Sequence, residues 1–411
     1  MSVSAGLSAT ADADVLVAGG GVIGTAIAWR AAVAGLRAVV VDPERGNAAS
    51  LVAAGMLAPV SESFFGEEAL LRLNLLAVRR FPAFAAELEE AAGQVTGLRR
   101  EGTLAVAYDP DDHAALKRLT VFRRDAGLGA EELDGRACRA LEPFLAPGVH
   151  GGVLFPGDWS VDNRRYAAAL RRAAHLAGVR TVRDSVAEVL AAAGRVTGVR
   201  LAGGGTAAAA AVVIAAGSWS GGIAGLPGGL DGVVRPVKGQ LLRLRVPAGM
   251  PPVLSRTVRA LVRGTDVYVV PRADGEMIVG ATSEERGHDQ TVTAGAVHDL
   301  LRDAQSVLPV TSELILAETC AGLRPGTPDN GPVVGPAGPE GPDGLLLATG
   351  HYRNGILMSA VTADAVAAHL TGRPAAAEWD PFRPQRFLPA SGRTAPPGPH
   401  EASGQVGVRP R

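Results

Sequence analysis

Apolar positions near the start of this chain fall in unbroken runs rather than in alternation, as they do in strands covered on both faces. Val15 to Ala18 form such a run after Asp14, and three glycines follow. The pattern predicts a strand at Asp14–Ala18, a glycine turn, a helix to about Ala34 and a strand at Ala38–Val41. An extended, small-residue segment covers Arg45 to Pro59. Leu73, Leu76, Phe84 and Leu88 recur at helical spacing and predict a helix over Leu70–Glu90. Thr103–Tyr108 suits a strand and Asp111–Arg124 a helix. Asn163–Gly178 reads as a helix ending at a glycine. Thr181–Leu190 and Val196–Leu201 read as a hairpin around Gly194, and Ala211–Ala215 as a short buried strand.

From Val233 to Ala281 the pattern changes to alternation with recurring β-branched residues. Leu241–Val246, Arg259–Val262, Asp266–Pro271 and Met277–Gly280 read as strands of one antiparallel sheet. Ala294–Leu308 reads as a helix, Leu345–Thr349 as a strand and Asn354–Leu370 as a helix. After Gly372 the chain turns rich in Pro, Arg and Gly, which suggests a poorly packed tail.

The length of 411 residues exceeds what one hydrophobic core usually supports, so two domains are expected. The net charge of −1, with no basic stripe, argues against nucleic acid or an anionic membrane as partner. Only two cysteines occur, Cys138 and Cys320, without metal-ligand spacing, so a reducing compartment fits best. Residues 1–12 lack the apolar core of a signal peptide, and no apolar run has membrane-spanning length. A cytoplasmic protein is the expectation.

The sharpest motif is Gly19-Gly20-Gly21-Val22-Ile23-Gly24, directly after the first strand. In such a G-x-G-x-x-G, Gly19 permits the tight turn, Gly21 lets backbone approach a pyrophosphate, and Gly24 lets helix and strand pack closely. The helix N-terminus offers unpaired N–H groups and a positive dipole end. Asp42, at the end of the second strand, is suited to accept from ribose hydroxyls. The strand before, the helix after and the acid at this distance make a dinucleotide site. They do not choose between NAD and FAD.

A flavin needs several chain segments, and three candidates stand out. Ala48 to Leu57 is dominated by Ala, Gly and Ser, so its backbone can lie against a flat ring, and Ser50 can donate to a phosphate. It also reads as a small-residue packing segment. Val212 to Ser220 runs a buried strand into a small-residue turn at Gly217, facing the ligand crevice of a parallel sheet. Gly344 to Leu357 is a strand, a turn carrying His351, Tyr352 and Arg353, and a helix start. That second helix N-terminus would stabilise negative charge on a reduced flavin.

For a substrate, Arg324 sits among Gly322, Pro325 and Gly326 in what reads as a fixed turn, offering a rigid fork for a carboxylate. Taken alone, it reads more readily as a surface arginine in an ion pair, the common fate of arginines. Tyr268, one of only four tyrosines, alternates with apolar neighbours; its hydroxyl can bond the same carboxylate, and it reads equally as a tyrosine packed in the sheet. No Ser-His-Asp set, metal set or paired carboxylate emerges, so no side chain is assigned a catalytic role. Hydride transfer from a neutral amine to flavin N5 requires chiefly nearness and alignment.

Taken in order, VLVAGGGVIG, ASLVAAGMLAP followed by Glu62, AAGSWS, RPVKGQ, YVVPR with VGATSEE, AGLRPGTPDNGP and GHYRNGILM span roughly residues 14–370. In these stretches the chain resembles the glycine oxidase (ThiO) branch of the D-amino-acid oxidase family of flavoproteins. The resemblance implies an α/β fold, α+β overall. It has a Rossmann-like FAD-binding domain with a mixed sheet, at 13–85, 148–222 and 320–372. A discontinuous antiparallel-sheet substrate domain takes 86–147 and 223–319, and the ends at 1–12 and 373–411 are flexible.

It further implies that Val22, Ile23, Asp42, Ala49, Ser50, Ala54, Gly55 and Met56 contact FAD, with Val186 toward the adenine. His351, Tyr352, Arg353, Asn354, Gly355, Ile356 and Leu357 would close on the flavin. Arg324 becomes the carboxylate anchor, Tyr268 its hydroxyl partner, and Arg353 a second cation near the substrate. Asp266 stands where glycine oxidases carry His, and Ser283 where some have Met, in the part expected to shape the pocket. No cysteine is suited to covalent attachment, so the FAD is expected to be non-covalent.

The implied activity is oxidation of glycine or a small related amine, such as sarcosine or a small D-amino acid. An imine and then glyoxylate form, with O₂ reduced to H₂O₂, in the service of thiamine thiazole synthesis. A homo-oligomer is expected. The rival readings are a dehydrogenase of the same fold passing electrons to a quinone or carrier, and a non-catalytic flavoprotein subunit.

Overall fold

The computed structural model describes residues 13–125 and 127–388, so the lead at 1–12 and the tail beyond 388 lie outside the described residues. Two eight-stranded sheets organise the chain. In the first, Ala13–Ala18 lies between Thr206–Ile214 and Ala38–Val41, parallel to both. Arg180–Val182 extends the sheet beyond Ala38–Val41, and Leu345–Thr349 lies parallel to Thr206–Ile214 on the other side. Val333–Pro336 closes that edge in antiparallel pairing. The hairpin Val186–Ala192 with Arg195–Leu201 branches off Thr206–Ile214.

The unbroken apolar runs have a direct cause. Val15 and Val17 face one core, together with the helices Val22–Val33, Glu68–Ala92, Asn163–Leu176 and Gly355–Leu370. Leu16 and Ala18 face a second core made with the branching hairpin. Both faces are dry, so no polar position interrupts the strands. In Glu68–Ala92, Leu73, Phe84 and Leu88 are buried as their spacing predicts, while Leu76 is only partly covered.

The second sheet runs Ile315–Gly326, Arg235–Arg245, Glu276–Gly280, Thr265–Pro271, Thr257–Val262, Thr103–Ala107, Gly151–Phe155 and Glu131–Asp134 in spatial order. It is antiparallel except where Thr257–Val262 meets Thr103–Ala107 in parallel. Those two strands come from remote segments rather than a hairpin, so nothing forces them antiparallel. Gly151–Phe155 and Ile315–Gly326 belong to this sheet, so the expected segment limits at 148 and 320 cut across it.

Three local expectations need correction. The strand expected over Thr181–Leu190 is two strands, because Asp184 accepts from the Ser185 and Gly203 amides and breaks the run. The segment expected as a turn around Arg324 is the second half of the edge strand Ile315–Gly326. Gly322 pairs opposite Gly239 and Pro325 opposite Pro236, a non-hydrogen-bonded position where the missing N–H groups would point away from the partner strand, so no ladder bond between them is lost. Finally, residues 373–388 are packed rather than loose. Trp379 and Phe382 are buried, and Arg386 pairs with Asp329 at 2.7 Å. Among the described residues no helix is long and apolar enough to cross a membrane, and no cluster of His, Cys, Asp and Glu is arranged to hold a metal.

Candidate cofactor and substrate site

One continuous cavity runs from the carboxyl ends of the first sheet's parallel strands to the face of the second sheet. At the first end lies the glycine turn. Gly19 has φ +110°, and a Cβ there would sit 2.4 Å from the Ala215 carbonyl oxygen. A Cβ on Gly24 would sit 1.9 Å from the Gly19 carbonyl oxygen, so the helix approaches its own turn too closely for any side chain. The Val22 amide donates to Ser50 Oγ at 3.0 Å. The Ile23 and Gly24 amides find no acceptor among the described residues, at a helix N-terminus that opens on the cavity. This is the donor set that a pyrophosphate takes.

Asp42 accepts from the Gly20 and Glu44 amides, each at 2.6 Å, through different oxygens. Each oxygen keeps capacity for a ribose hydroxyl. Ser50 Oγ accepts from Val22, which leaves its own proton for a ligand. Val186 and Gly217 line the same end, as expected.

The small-residue segment forms the next stretch of wall. Ala49–Val52 is one helical turn, and Met56–Leu57 a two-residue strand. Asn163 Nδ2 donates to the Ser50 and Leu51 carbonyls at 3.0 Å each, and Arg272 donates to the Ala54 carbonyl at 2.6 Å. Gly55 has φ +75°, and a Cβ would lie 2.0 Å from the Val161 oxygen. Small side chains are therefore required on the outer side, while Ala49, Ala54, Gly55 and Met56 present their inner side to the cavity. Nearby, Gly239 and Gly322 oppose each other across two strands and line the cavity with bare backbone. Sequence reasoning missed this pair. Its signal is an interior glycine in each of two strands, which marks a close approach.

The helix Gly355–Leu370 supplies the second N-terminus. Gly355 and Ile356 line the cavity, and their amides find no acceptor among the described residues. His351, Tyr352 and Arg353 also line it. The His351 ring turns toward this helix, with Nε2 3.0 Å from Thr362 Oγ1. Burial pushes its pKa down to about 3, so it is neutral at physiological pH. Its contribution to stability is complete above its ordinary pKa near 6.5 and is lost as pH falls toward 3. Acidification from neutrality to pH ~4 should thus lower the melting temperature of the native chain more than that of His351→Gln. Equal losses would contradict the buried neutral ring.

At the far end, Arg324, Tyr268 and Glu62 line the cavity together. The Arg324 guanidinium lies across Gly239, where a Cβ would come within 2.3 Å of it. It donates to the Thr282 carbonyl at 3.1 Å and forms no ion pair among the described residues. Tyr268 lies over Gly280, its cross-strand neighbour, whose Cβ would meet the ring at 2.4 Å. Burial raises the Tyr268 phenol above its ordinary value, although Arg324 pulls the other way, so it stays a neutral donor. On its other side stands Arg259, bound to Glu62 at 2.6 Å.

Five expected residues, and Gly20 of the turn, do not line the cavity. Gly24 and Leu357 pack in the interior, and Asn354 caps the helix start. Asp266 and Ser283, expected to shape the pocket, are exposed and do not line the wall. Gly20 borders only a neighbouring cavity. Arg45, Trp219 and Leu241 line the main cavity without having been singled out.

The fold and cavity define a dinucleotide-binding protein with a cation, unpaired among the described residues, at the far end of its cleft. Residues 14–369 match the DAO family, described as FAD dependent oxidoreductase. The chain belongs to this family, and FAD is its cofactor. Glycine oxidase of Geobacillus kaustophilus is 35% identical, the match covering 91% of this chain and 97% of that one. A crystal structure of glycine oxidase from Geobacillus kaustophilus superposes with a TM-score of 0.83 at 34% identity, covering 92% of this chain and all of that one. The bifunctional protein ThiO/ThiG of a Synechocystis strain is 35% identical over 91% of this chain. This chain spans about half of that protein, 54%.

Proposed function

We propose that the chain oxidises glycine or a small related amine, such as sarcosine or a small D-amino acid, with O₂ as the electron acceptor. The overall reaction for glycine consumes one O₂ and one water and yields glyoxylate, ammonia and H₂O₂. The observation that carries this reading is Arg324, a cavity-lining guanidinium without an anionic partner among the described residues, beside a neutral phenol. Such a pair suits one carboxylate: the arginine supplies charge and paired donors, and Tyr268 supplies an O–H. The similarity to glycine oxidases supports the same substrate class. The relation to ThiO/ThiG supports delivery of the imine product to thiamine thiazole synthesis.

FAD, when bound, supplies a two-electron acceptor that O₂ can regenerate. The residues of the chain orient the reactants. Arg324 and Tyr268 fix the carboxylate, which leaves the amine and α-carbon on the flavin side. Arg353 adds a second cation near the substrate. Gly239 leaves room for the Arg324 guanidinium and Gly322 for Val52, so the absence of side chains there sets where the anchor lies. The free amides of Gly355 and Ile356 would hold an electron-rich edge of the FAD and favour negative charge there. Neither cysteine lines the cavity, which supports non-covalent binding.

A peroxide-coupled screen of glycine, sarcosine and small D-amino acids tests the reading. Turnover of at least one of them with stoichiometric H₂O₂ is expected, and turnover only with an added quinone or carrier would assign a dehydrogenase instead. Tyr268→Phe should raise KM by about 10-fold or more with little change in kcat, since one hydrogen bond to a charged group, worth about 1.5 kcal/mol at the low end, is lost. An unaltered KM would remove the phenol from the site.

A further inference from the structure

The motif RPVKGQ contributes Gly239 to the cavity, yet its lysine faces elsewhere. Along Arg235–Arg245, Val237, Gly239 and Leu241 share the cavity face, so Lys238 and Gln240 point to the opposite face. Lys238 is 1% exposed, and its Nζ lies 2.8 Å from Asp289 and 4.0 Å from Glu284. Its ammonium holds the Asp289 carboxyl well below the usual carboxylate range. A lysine buried to this degree is retained only with its partner, because an unpaired ammonium there is costly.

These contacts clamp residues 282–293 to the back of the strand. The Lys238 amide donates to the Glu284 carbonyl at 2.9 Å, and the Glu284 amide returns a bond to the Lys238 carbonyl at 3.0 Å. The Gln240 side chain donates to Glu284 at 2.7 Å and accepts from the Thr293 amide at 2.8 Å. The Arg324 guanidinium then takes its aim from one carbonyl on each clamped segment, Thr282 at 3.1 Å and Lys238 at 3.4 Å. If the two segments slide, the guanidinium loses its direction.

We propose that Lys238 is a positioning residue for substrate binding: it locks residues 282–293 to its own strand and so fixes the two carbonyls that orient Arg324. This rests on the reading of Arg324 as the carboxylate anchor. Lys238 touches neither substrate nor cofactor and acts through the arginine alone.

The test is a double-mutant cycle on FAD-loaded protein, with acetate as the carboxylate probe and the flavin absorbance change as readout. Arg324→Ala alone must weaken acetate binding; if it does not, the anchor reading fails, and the role of Lys238 falls with it. Given that it does, Lys238→Met should weaken acetate binding about 5- to 20-fold and raise KM alike. It should leave kcat and FAD content nearly unchanged, and should add less than about two-fold in the Arg324→Ala background. Lys238→Arg, which keeps the charge, should restore most of the affinity. Unchanged acetate affinity in Lys238→Met, or an equal loss in both backgrounds, would overturn the proposal. Asp289→Asn removes the same ion pair from its solvent side. It decides by the same outcomes, at smaller fold-change, where Lys238→Met does not fold.

Discussion

Replacing Arg324 with alanine is expected to raise KM for the amine substrate by roughly 10- to 150-fold while FAD content stays that of the native chain. Charge-assisted hydrogen bonds to a carboxylate are worth about 1.5–3 kcal/mol, and each ~1.4 kcal/mol is a factor of ten. The truncation also opens space beside Gly239 and leaves the Thr282 carbonyl without its donor. Because the guanidinium stands at the end of the cavity away from the glycine turn, the loss falls on substrate rather than cofactor. Steady-state kinetics together with the flavin-to-protein absorbance ratio separate the two. A KM within about two-fold of native, measured on fully loaded protein, would take Arg324 out of the site.

The second large effect concerns the cofactor. Gly19→Ala should yield protein that binds FAD at least about 100-fold more weakly, and most preparations should be colourless. The residue holds φ +110°, which costs an alanine about 1–3 kcal/mol, and its Cβ would press on the Ala215 carbonyl at 2.4 Å. The only relief is to move the turn, and the turn carries the Ile23 and Gly24 amides. Titration of FAD into the purified protein, followed by flavin fluorescence, measures the change. Circular dichroism shows whether the rest of the fold survives. A variant that purifies with a full complement of FAD would contradict the assignment of this turn to the pyrophosphate.

The dinucleotide half of the site was legible because its determinants are local. Gly19, Gly21, Gly24 and Asp42 sit within one strand–helix–strand unit, and each has a stereochemical reason that sequence spacing exposes. The helix start at Gly355 was legible for the same reason. The substrate half depends on long-range pairing, and periodicity says little about it. Arg324 read as a turn residue because Gly322, Pro325 and Gly326 are turn formers. Only the pairing of Pro325 with Pro236, and of Gly322 with Gly239, makes that stretch a strand. Alternation along Thr265–Pro271 put Tyr268 on one face correctly. Asp266 shares its parity, but it lies near the strand's end, past the covered part of the sheet, and is exposed to solvent. The burial of Trp379 and Phe382 was hidden by a Pro- and Arg-rich composition that in isolation suggests a loose tail. Lys238 would have passed for a surface lysine, since nothing local announces that Asp289, far along the chain, covers it.

We propose, then, that the Arg324 end of this cavity brings a small amine to the flavin for oxidation. Anaerobic mixing of FAD-loaded protein with glycine, sarcosine and small D-amino acids in turn tests it most directly, with flavin absorbance recorded as each is added. At least one of them should bleach the oxidised flavin, air should restore the colour with release of H₂O₂, and Arg324→Ala should require far more substrate for the same bleaching. A flavin that stays oxidised with every one of these amines at saturating concentration would contradict it.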